Sequence, residues 1–257
     1  MKKIFLIVVA MIWGLCNLYA AAPVKGRVVK YPLNIRAGAG TKYTSIAQLT
    51  KDNQVEIVRC SKQWLEIKPT ANCVVWILKR YIKNGKLTAN VNFRSGPGTG
   101  YEAVGGGKVG MAVEVKGDAT KSGWISIAAP DSVRVYVGRD AIEADSKELA
   151  ALPKFESSAG RALPNKDLIL MERNFTSPGR EVRITGEVYD FKSDVKAITH
   201  LLYEPKGDEL LPKYFLIPSR GDLKAYDSKK VRITGECYQV KNWDMPVIVV
   251  QKVTVVE

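Results

Sequence analysis

Two stretches of this chain are near-copies of each other. Residues 33–43, LNIRAGAGTKY, recur as residues 91–101, VNFRSGPGTGY, 58 positions further on. The same offset aligns Val55-Glu56-Ile57 with Val113-Glu114-Val115. By Trp64 and Trp124 it has become 60, so the second copy carries two extra residues in the preceding hairpin loop. At that offset VWILKRYI (75–82) matches VYVGRDAI (135–142). A duplicated unit of about sixty residues, built of short alternating strands with Gly, Asn, Asp and Lys turns, predicts two small β-barrels in tandem. The expected boundaries are 24–83 and 84–143.

Within the shared N-[IF]-R-x-G-x-G-T-x-Y stretch, Ile35 and Phe93 are expected to point inward and Arg36 and Arg94 outward. Gly38, Gly40, Gly96 and Gly98 are expected to supply the positive φ angles of a tight turn. Tyr43 and Tyr101 then close the loop with a ring and a hydroxyl. This pattern, with the later W-x-x-I strands (64–67 and 124–127), resembles the bacterial SH3 family over residues 24–143, and the second copy is the nearer match. The resemblance implies a non-catalytic binding or targeting module of envelope and secreted proteins, with peptidoglycan or envelope proteins as partners. By position, Tyr43, Trp64 and Trp76 in the first copy, and Tyr101, Trp124 and Tyr136 in the second, are the aromatic candidates for a ligand groove. Core packing is the alternative reading and is favoured for Trp64 and Trp124, whose strand is central, while Tyr43 and Tyr101 stand at a loop end.

The N-terminus reads as an address. Lys2 and Lys3 precede an apolar run from Ile4 to Leu15, and small residues arrive at Ala20, Ala21 and Ala22. That is the pattern of a signal peptide over residues 1–22, with an apolar run shorter than a membrane span. Leu15 ahead of Cys16 argues against a lipoprotein, and a retained anchor is the alternative to cleavage. An exported protein, periplasmic or secreted, with no transmembrane span in the mature chain, is the expectation. Cys60, Cys73 and Cys237 then remain, an odd number, and they read as small buried hydrophobes rather than a disulfide framework.

From residue 144 the pattern changes. Residues 144–165 read as a linker with a short helix over 146–152, and LILMER (168–173) as a strand leading into the next unit. VRITGEVYDF (182–191) returns as VRITGECYQV (231–240), each with a glycine, Gly186 or Gly235, where a barrel strand can bend or bulge. The order of long bent strand, strand, strand, short helical connection, strand, strand predicts a five-stranded barrel over 166–257, similar to the OB-type domains of exported bacterial proteins. The whole chain is therefore expected to be all-β: two tandem SH3-like barrels, then an OB-like barrel. Tyr189, Tyr203, Tyr214, Phe215, Tyr238 and Trp243, with Arg183, Lys213 and Arg232, are what such a barrel would offer an oligonucleotide or oligosaccharide. Core packing claims most of those rings, and export argues against nucleic acid as a partner.

Catalytic chemistry finds little support. A single His, His200, lies in the strand-like AITHLLY, and no Cys precedes a helical pattern, so a Cys-His or Ser-His hydrolase lacks its parts. Paired Cys or His spacings for zinc, a Walker loop and a nucleophile elbow are missing from the sequence, which implies no metal and no cofactor. An unrecognised wall hydrolase using paired carboxylates stays open as an alternative.

The formal charge of +13 is uneven. Residues 23–83 hold 12 Lys+Arg against 3 Asp+Glu, residues 84–145 hold 7 against 7, and residues 146–257 hold 18 against 16. A basic face of Lys25, Arg27, Lys30, Lys42, Lys79, Arg80 and Lys83 is thus expected on the first module, facing acidic wall polymers or lipid headgroups.

Overall fold

The computed structural model describes residues 22–156 and 162–256; the expected signal peptide, with Cys16, lies almost wholly outside them. The first half contains thirteen short strands in the described residues. They are β1 (Val24–Val28), β2 (Leu33–Arg36), β3 (Ser45–Leu49), β4 (Gln54–Cys60), β5 (Trp64–Ile67), β6 (Val74–Leu78), β7 (Ile82–Lys83), β8 (Lys86–Leu87), β9 (Val91–Arg94), β10 (Ala103–Gly107), β11 (Trp124–Ala128), β12 (Val135–Gly138) and β13 (Ile142–Glu143). Alternation of apolar and charged residues makes these strands: in β1, Val24 and Val28 are buried while Lys25 and Arg27 are exposed. Ile35 and Phe93 are fully buried, as the repeat predicts.

The strands do not divide where the sequence repeats divide. One sheet runs β13-β1-β4-β5-β12-β2-β3, the other β10-β9-β6-β11. Strand β12 from the second repeat therefore sits between β5 and β2 of the first, and β6 from the first sits between β9 and β11 of the second. Strands β13 and β7 travel with them, onto β1 and β8. The expectation that 24–83 and 84–143 each close separately is corrected: the last third of each repeat is exchanged. Put another way, a contiguous unit of residues 74–128 is nested inside a unit made of 24–67 and 135–143.

The exchange is symmetric in its register. Trp124 pairs with Leu78 and Ile127 with Val75, while Trp64 pairs with Gly138 and Ile67 with Val135, which are the equivalent positions. Equivalent residues also meet across the join, since Thr44 N–H donates to Glu102 at 2.8 Å and these two positions correspond in the repeat. One apolar core, running from Val28 and Ile35 through Val75 and Phe93 to Val137, serves both units.

A buried carboxylate marks the exchanged arrangement. Glu66 on β5 has no exposed surface and is held by Arg134 at 3.0 Å and Arg59 at 3.4 Å. Arg134 enters with β12, and the first repeat has Val74 in its place. Arg134→Met should thus destabilise the fold by about 2–3 kcal/mol, because a buried charge loses its better partner. Adding Glu66→Gln should recover at least half of that in urea denaturation; a loss in Arg134→Met below about 0.5 kcal/mol, the level of an ordinary surface change, would contradict the assignment.

The linker is partly structural. Helix α1 (Ser146–Ala151) is capped by Asp145, which accepts from Lys147 and Glu148 N–H at 2.8 and 3.0 Å. Leu149 and Leu152 behind it join the first core, so this segment contributes to packing where a mere connection was expected. The expected strand at 168–173 is a helix, α2 (Lys166–Glu172), capped by Asn165. Its run of apolar residues is ambiguous between strand and helix; the Asn165 cap and the burial of Leu168, Met171 and Glu172 at helical spacing decide for helix.

The remaining strands are β14 (Arg180–Asp190), β15 (His200–Lys206), β16 (Glu209–Pro218), β17 (Lys229–Tyr238) and β18 (Val247–Val255), with a 3₁₀ turn at Lys224–Tyr226. They close a barrel in the order β14-β15-β16-β18-β17, every contact antiparallel except β16 with β18. Gly235 stands where the β17–β18 register shifts, and a side chain there would strike the Val249 carbonyl oxygen. Gly186 stays in register with β17 but admits the Tyr203 carbonyl oxygen in the same way. Cys60, Cys73 and Cys237 are buried free thiols.

Candidate functional site

The motif loops are built from the arginine and glycine positions. Arg36 donates to the carbonyls of Thr41 (3.2 Å) and Tyr43 (2.9 Å), and Arg94 donates to those of Thr99 (2.9 Å) and Tyr101 (2.7 Å). Each guanidinium ties its own loop, and burial lowers the pKa of Arg94; the expectation that both point outward is corrected. The glycine expectation is corrected too. Gly38, Gly40, Gly96 and Gly98 do not have positive φ. A Cβ at Gly38 would lie 2.7 Å from the Tyr43 ring, and one at Gly96 would strike the Tyr101 ring. The pattern demands glycine because the tyrosine folds flat over the loop.

Beside the first of these loops lies an open groove. Thr41, Lys62, Gln63, Trp64, Gly138, Arg139 and Asp140 line one section of about 720 Å³. Trp64 and Arg139 also line an adjoining section with Cys60, Lys154 and Phe155. Trp64 is half-buried and presents an aromatic surface among the cations Lys62, Arg139 and Lys154.

The exchange regroups the aromatic candidates. Tyr43, Trp64 and Tyr136 belong to the first unit, and Tyr101, Trp124 and Trp76 to the second. Tyr136 is buried, edge-on to Phe155 at 5.6 Å, and the guanidinium of Arg59 lies 5.4 Å over the same Phe155 ring. Trp124 is buried as well. Trp76, Tyr43 and Tyr101 are half-buried. Trp64 alone among these six lines the open groove.

The second unit has the same groove, and the C-terminal half of the chain fills most of it. Glu172 of α2 accepts from Thr99 N–H and Thr99 Oγ1, both at 2.6 Å, and from Gly100 N–H at 3.3 Å. Burial raises the pKa of Glu172, with the Thr99 hydrogen bonds opposing. Asn165 N–H donates to the Gly100 carbonyl at 2.8 Å. Arg80 donates to Glu236 and to the Gly179 carbonyl, and packs 4.9 Å over the Tyr81 ring. Burial opposes the Arg80 charge, and the hydrogen bonds and charges of Glu236 and Tyr81 together more than offset it, so its pKa is raised. Pro178 lies against Gly123, and the buried Tyr238 hydroxyl faces Trp124 and Glu236, its pKa pushed up by burial. A cleft of about 520 Å³ persists between Trp124, Arg94 and Asn92 on one side and Arg220, Glu236 and Gln251 on the other. Thr99, Ser122, Gly123, Trp124, Lys79 and Arg80 are the repeat equivalents of Thr41, Lys62, Gln63, Trp64, Arg139 and Asp140. Sequence reasoning missed Glu172 and Glu236; an acid next to the apolar run LILM and another inside VRITGECYQV were the available signals.

The basic residues are dispersed. Lys25, Arg27, Lys30 and Lys42 lie on the first unit; Lys79, Arg80 and Lys83 are carried across to the second. Arg27 pairs with Asp52 and Glu143, Lys30 with Asp140 and Arg80 with Glu236. With strands assigned by pairing, residues 24–67 and 135–143 hold 9 Lys+Arg against 5 acids, and 74–128 hold 8 against 3. A single basic module is corrected to two moderately basic units.

The other candidates are placed without forming a site. His200 is buried, its Nδ1 2.8 Å from Thr199 Oγ1, and burial lowers its pKa. Tyr238 stacks on Phe175 at 4.1 Å, Tyr189 meets Tyr203 edge-on at 5.1 Å, and Phe215 meets Trp243 at 4.9 Å. Among the described residues no cluster of His, Cys, Asp and Glu could hold a metal ion, and no helix is long and apolar enough to cross a membrane.

Residues 32–83 match the family model described as bacterial SH3 domain, 52 of the 257 residues. The matched segment runs from β2 to β7 and so includes β6 and β7, which are seated in the second unit. No curated protein and no solved structure matches the chain. Bacterial SH3 domains are commonly cell-wall binding modules, and the chain is all-β in keeping with one.

Proposed function

We propose that the protein is a non-catalytic exported binding protein that holds peptidoglycan through the groove at Trp64. The observation that carries this reading is the pairing of one open groove with a filled twin: Trp64 of the first unit is half-buried beside Lys62, Arg139 and the linker residue Lys154, where its equivalent in the second unit, Trp124, is buried. On this reading both units are SH3-like, and the N-terminal pattern of residues 1–22 is what supports delivery to the periplasm or beyond. The barrel order β14-β15-β16-β18-β17 with one parallel contact supports an OB-like assignment for the C-terminal unit. Its best-placed acids, Glu172 and Glu236, face the second groove, so we assign it an internal docking role in preference to oligonucleotide binding.

Sedimentation with purified sacculi tests the reading. The full chain should co-sediment at low salt, and Trp64→Ala should reduce retention about tenfold, the equivalent of roughly 1.4 kcal/mol, with its circular dichroism unchanged. Failure of the full chain to sediment, or retention unaffected by Trp64→Ala, would remove peptidoglycan as the ligand.

A further inference from the structure

The two motif loops are equivalent residue by residue, and one of them is holding a carboxylate. Thr99 corresponds to Thr41, Gly100 to Lys42, Gly98 to Gly40 and Arg94 to Arg36. Both arginines tie their loops through the same two carbonyls, so both loops present the same backbone. In the second unit, Thr99 N–H, Thr99 Oγ1 and Gly100 N–H converge on Glu172. A Cβ on Gly98 would strike that carboxylate, whereas one on Gly40 would meet, among the described residues, only the Tyr43 ring at 3.3 Å. Among the described residues, then, none fills in the first unit the volume that Glu172 fills in the second, and Thr41 lines the groove there.

We propose that the loop at 38–43 is a carboxylate cradle, in which Thr41 N–H, Thr41 Oγ1 and Lys42 N–H bind the carboxylate of an acidic peptide lying in the Trp64 groove. This deepens the wall-binding reading by naming the group recognised, and it rests on that reading only for the identity of the peptide.

Differences between the two loops define the ligand further. Gly100 is needed where Ile169 and the Asn165 carbonyl press on the loop, at 2.9 and 3.0 Å from a built Cβ. Lys42 in its place excludes a helix packed as α2 is packed and brings a cation to the cradle. Asp140 in place of Arg80 would repel an acid where Glu236 sits. The C-terminal unit is therefore matched to the second groove and rejected by the first. The first groove suits an extended peptide whose carboxylate meets Lys42, Lys62 and Arg139, charges that water screens only in part at short range.

The test uses the full-length protein, isotope-labelled, with N-acetyl-L-glutamate α-methylamide, whose one carboxylate is the side chain, as probe and N-acetyl-L-glutamine α-methylamide, which has none, as control. The glutamate probe at millimolar concentration should shift the backbone amide resonances of Thr41 and Lys42 downfield and leave Thr99 and Gly100 unmoved. The amide should have at least tenfold less effect. In Glu172→Ala the resonances of Thr99 and Gly100 should become responsive as well. Unmoved Thr41 and Lys42 resonances, or equal responses to acid and amide, would overturn the cradle. Because sacculi play no part here, a protein that binds the glutamate probe but not sacculi retains the cradle and loses the wall ligand.

Discussion

Cysteines placed at positions 76 and 126 should oxidise to an internal disulfide, and cysteines at 126 and 136 should not. Ser126 and Trp76 are directly paired across β11 and β6, the separation at which a disulfide closes with little strain. Were each repeat to close on itself, Tyr136 would occupy the place of Trp76, and the second pair would cross-link instead. The two arrangements have the same strand pairings in the same register, so their difference in free energy rests on contacts present in only one. Glu66 with Arg134 is such a contact, made through a carboxylate with no exposed surface. We expect an all-or-none outcome, read by mobility without reductant and by the masses of alkylated peptides. Cys60, Cys73 and Cys237 are buried, and burial raises the thiol pKa of Cys73 and Cys237, so interference from them is small. Cross-linking of 126 with 136 in place of 76 would restore the boundary at 83/84.

The repeat was legible because duplication leaves matching residues at a fixed spacing, and strands follow directly from their alternation. The exchange was not, because VWIL of β6 and VYVG of β12 have the same alternation and either fits beside W-x-x-I. What separates the arrangements is a pair 68 residues apart, Glu66 and Arg134, and no local pattern announces it. The glycine spacing marks a turn, but the reason for glycine there, the packing of Tyr43 and Tyr101 against Gly38 and Gly96, is a three-dimensional fact. Trp64 and Trp124 look alike in sequence, and their different exposure comes from residues 48, 54 and 112 positions beyond Trp124, at Glu172, Pro178 and Glu236. The charge count suffered in the same way. Lys79, Arg80 and Lys83 follow one unit in the chain and belong to the other by strand pairing.

Gly98→Ala should release the C-terminal unit from the second groove. The new methyl group would occupy the position of the Glu172 carboxylate, 2.6 Å from its Cδ, and force it off Thr99 and Gly100. Gly98 does not have positive φ, so the substitution introduces no backbone strain and its effect reports the contact itself. A buried carboxylate separated from its donors costs about 3–5 kcal/mol, which shifts the docking equilibrium by roughly two to three and a half orders of magnitude. The Arg80–Glu236 pair and the contact of Pro178 with Gly123 resist release, so we expect the lower end of that range. Limited proteolysis between residues 144 and 165 should accelerate about a hundredfold, with the barrel of β14–β18 still folded by circular dichroism. Gly40→Ala is the matched control, since among the described residues its methyl group meets the Tyr43 ring and no carboxylate; cleavage there should stay within about twofold of the parent protein, as for a change worth a few tenths of a kcal/mol. Equal cleavage of both variants would mean that Glu172 does not hold the units together, and the carboxylate cradle inferred for Thr41 would lose its precedent in the same experiment.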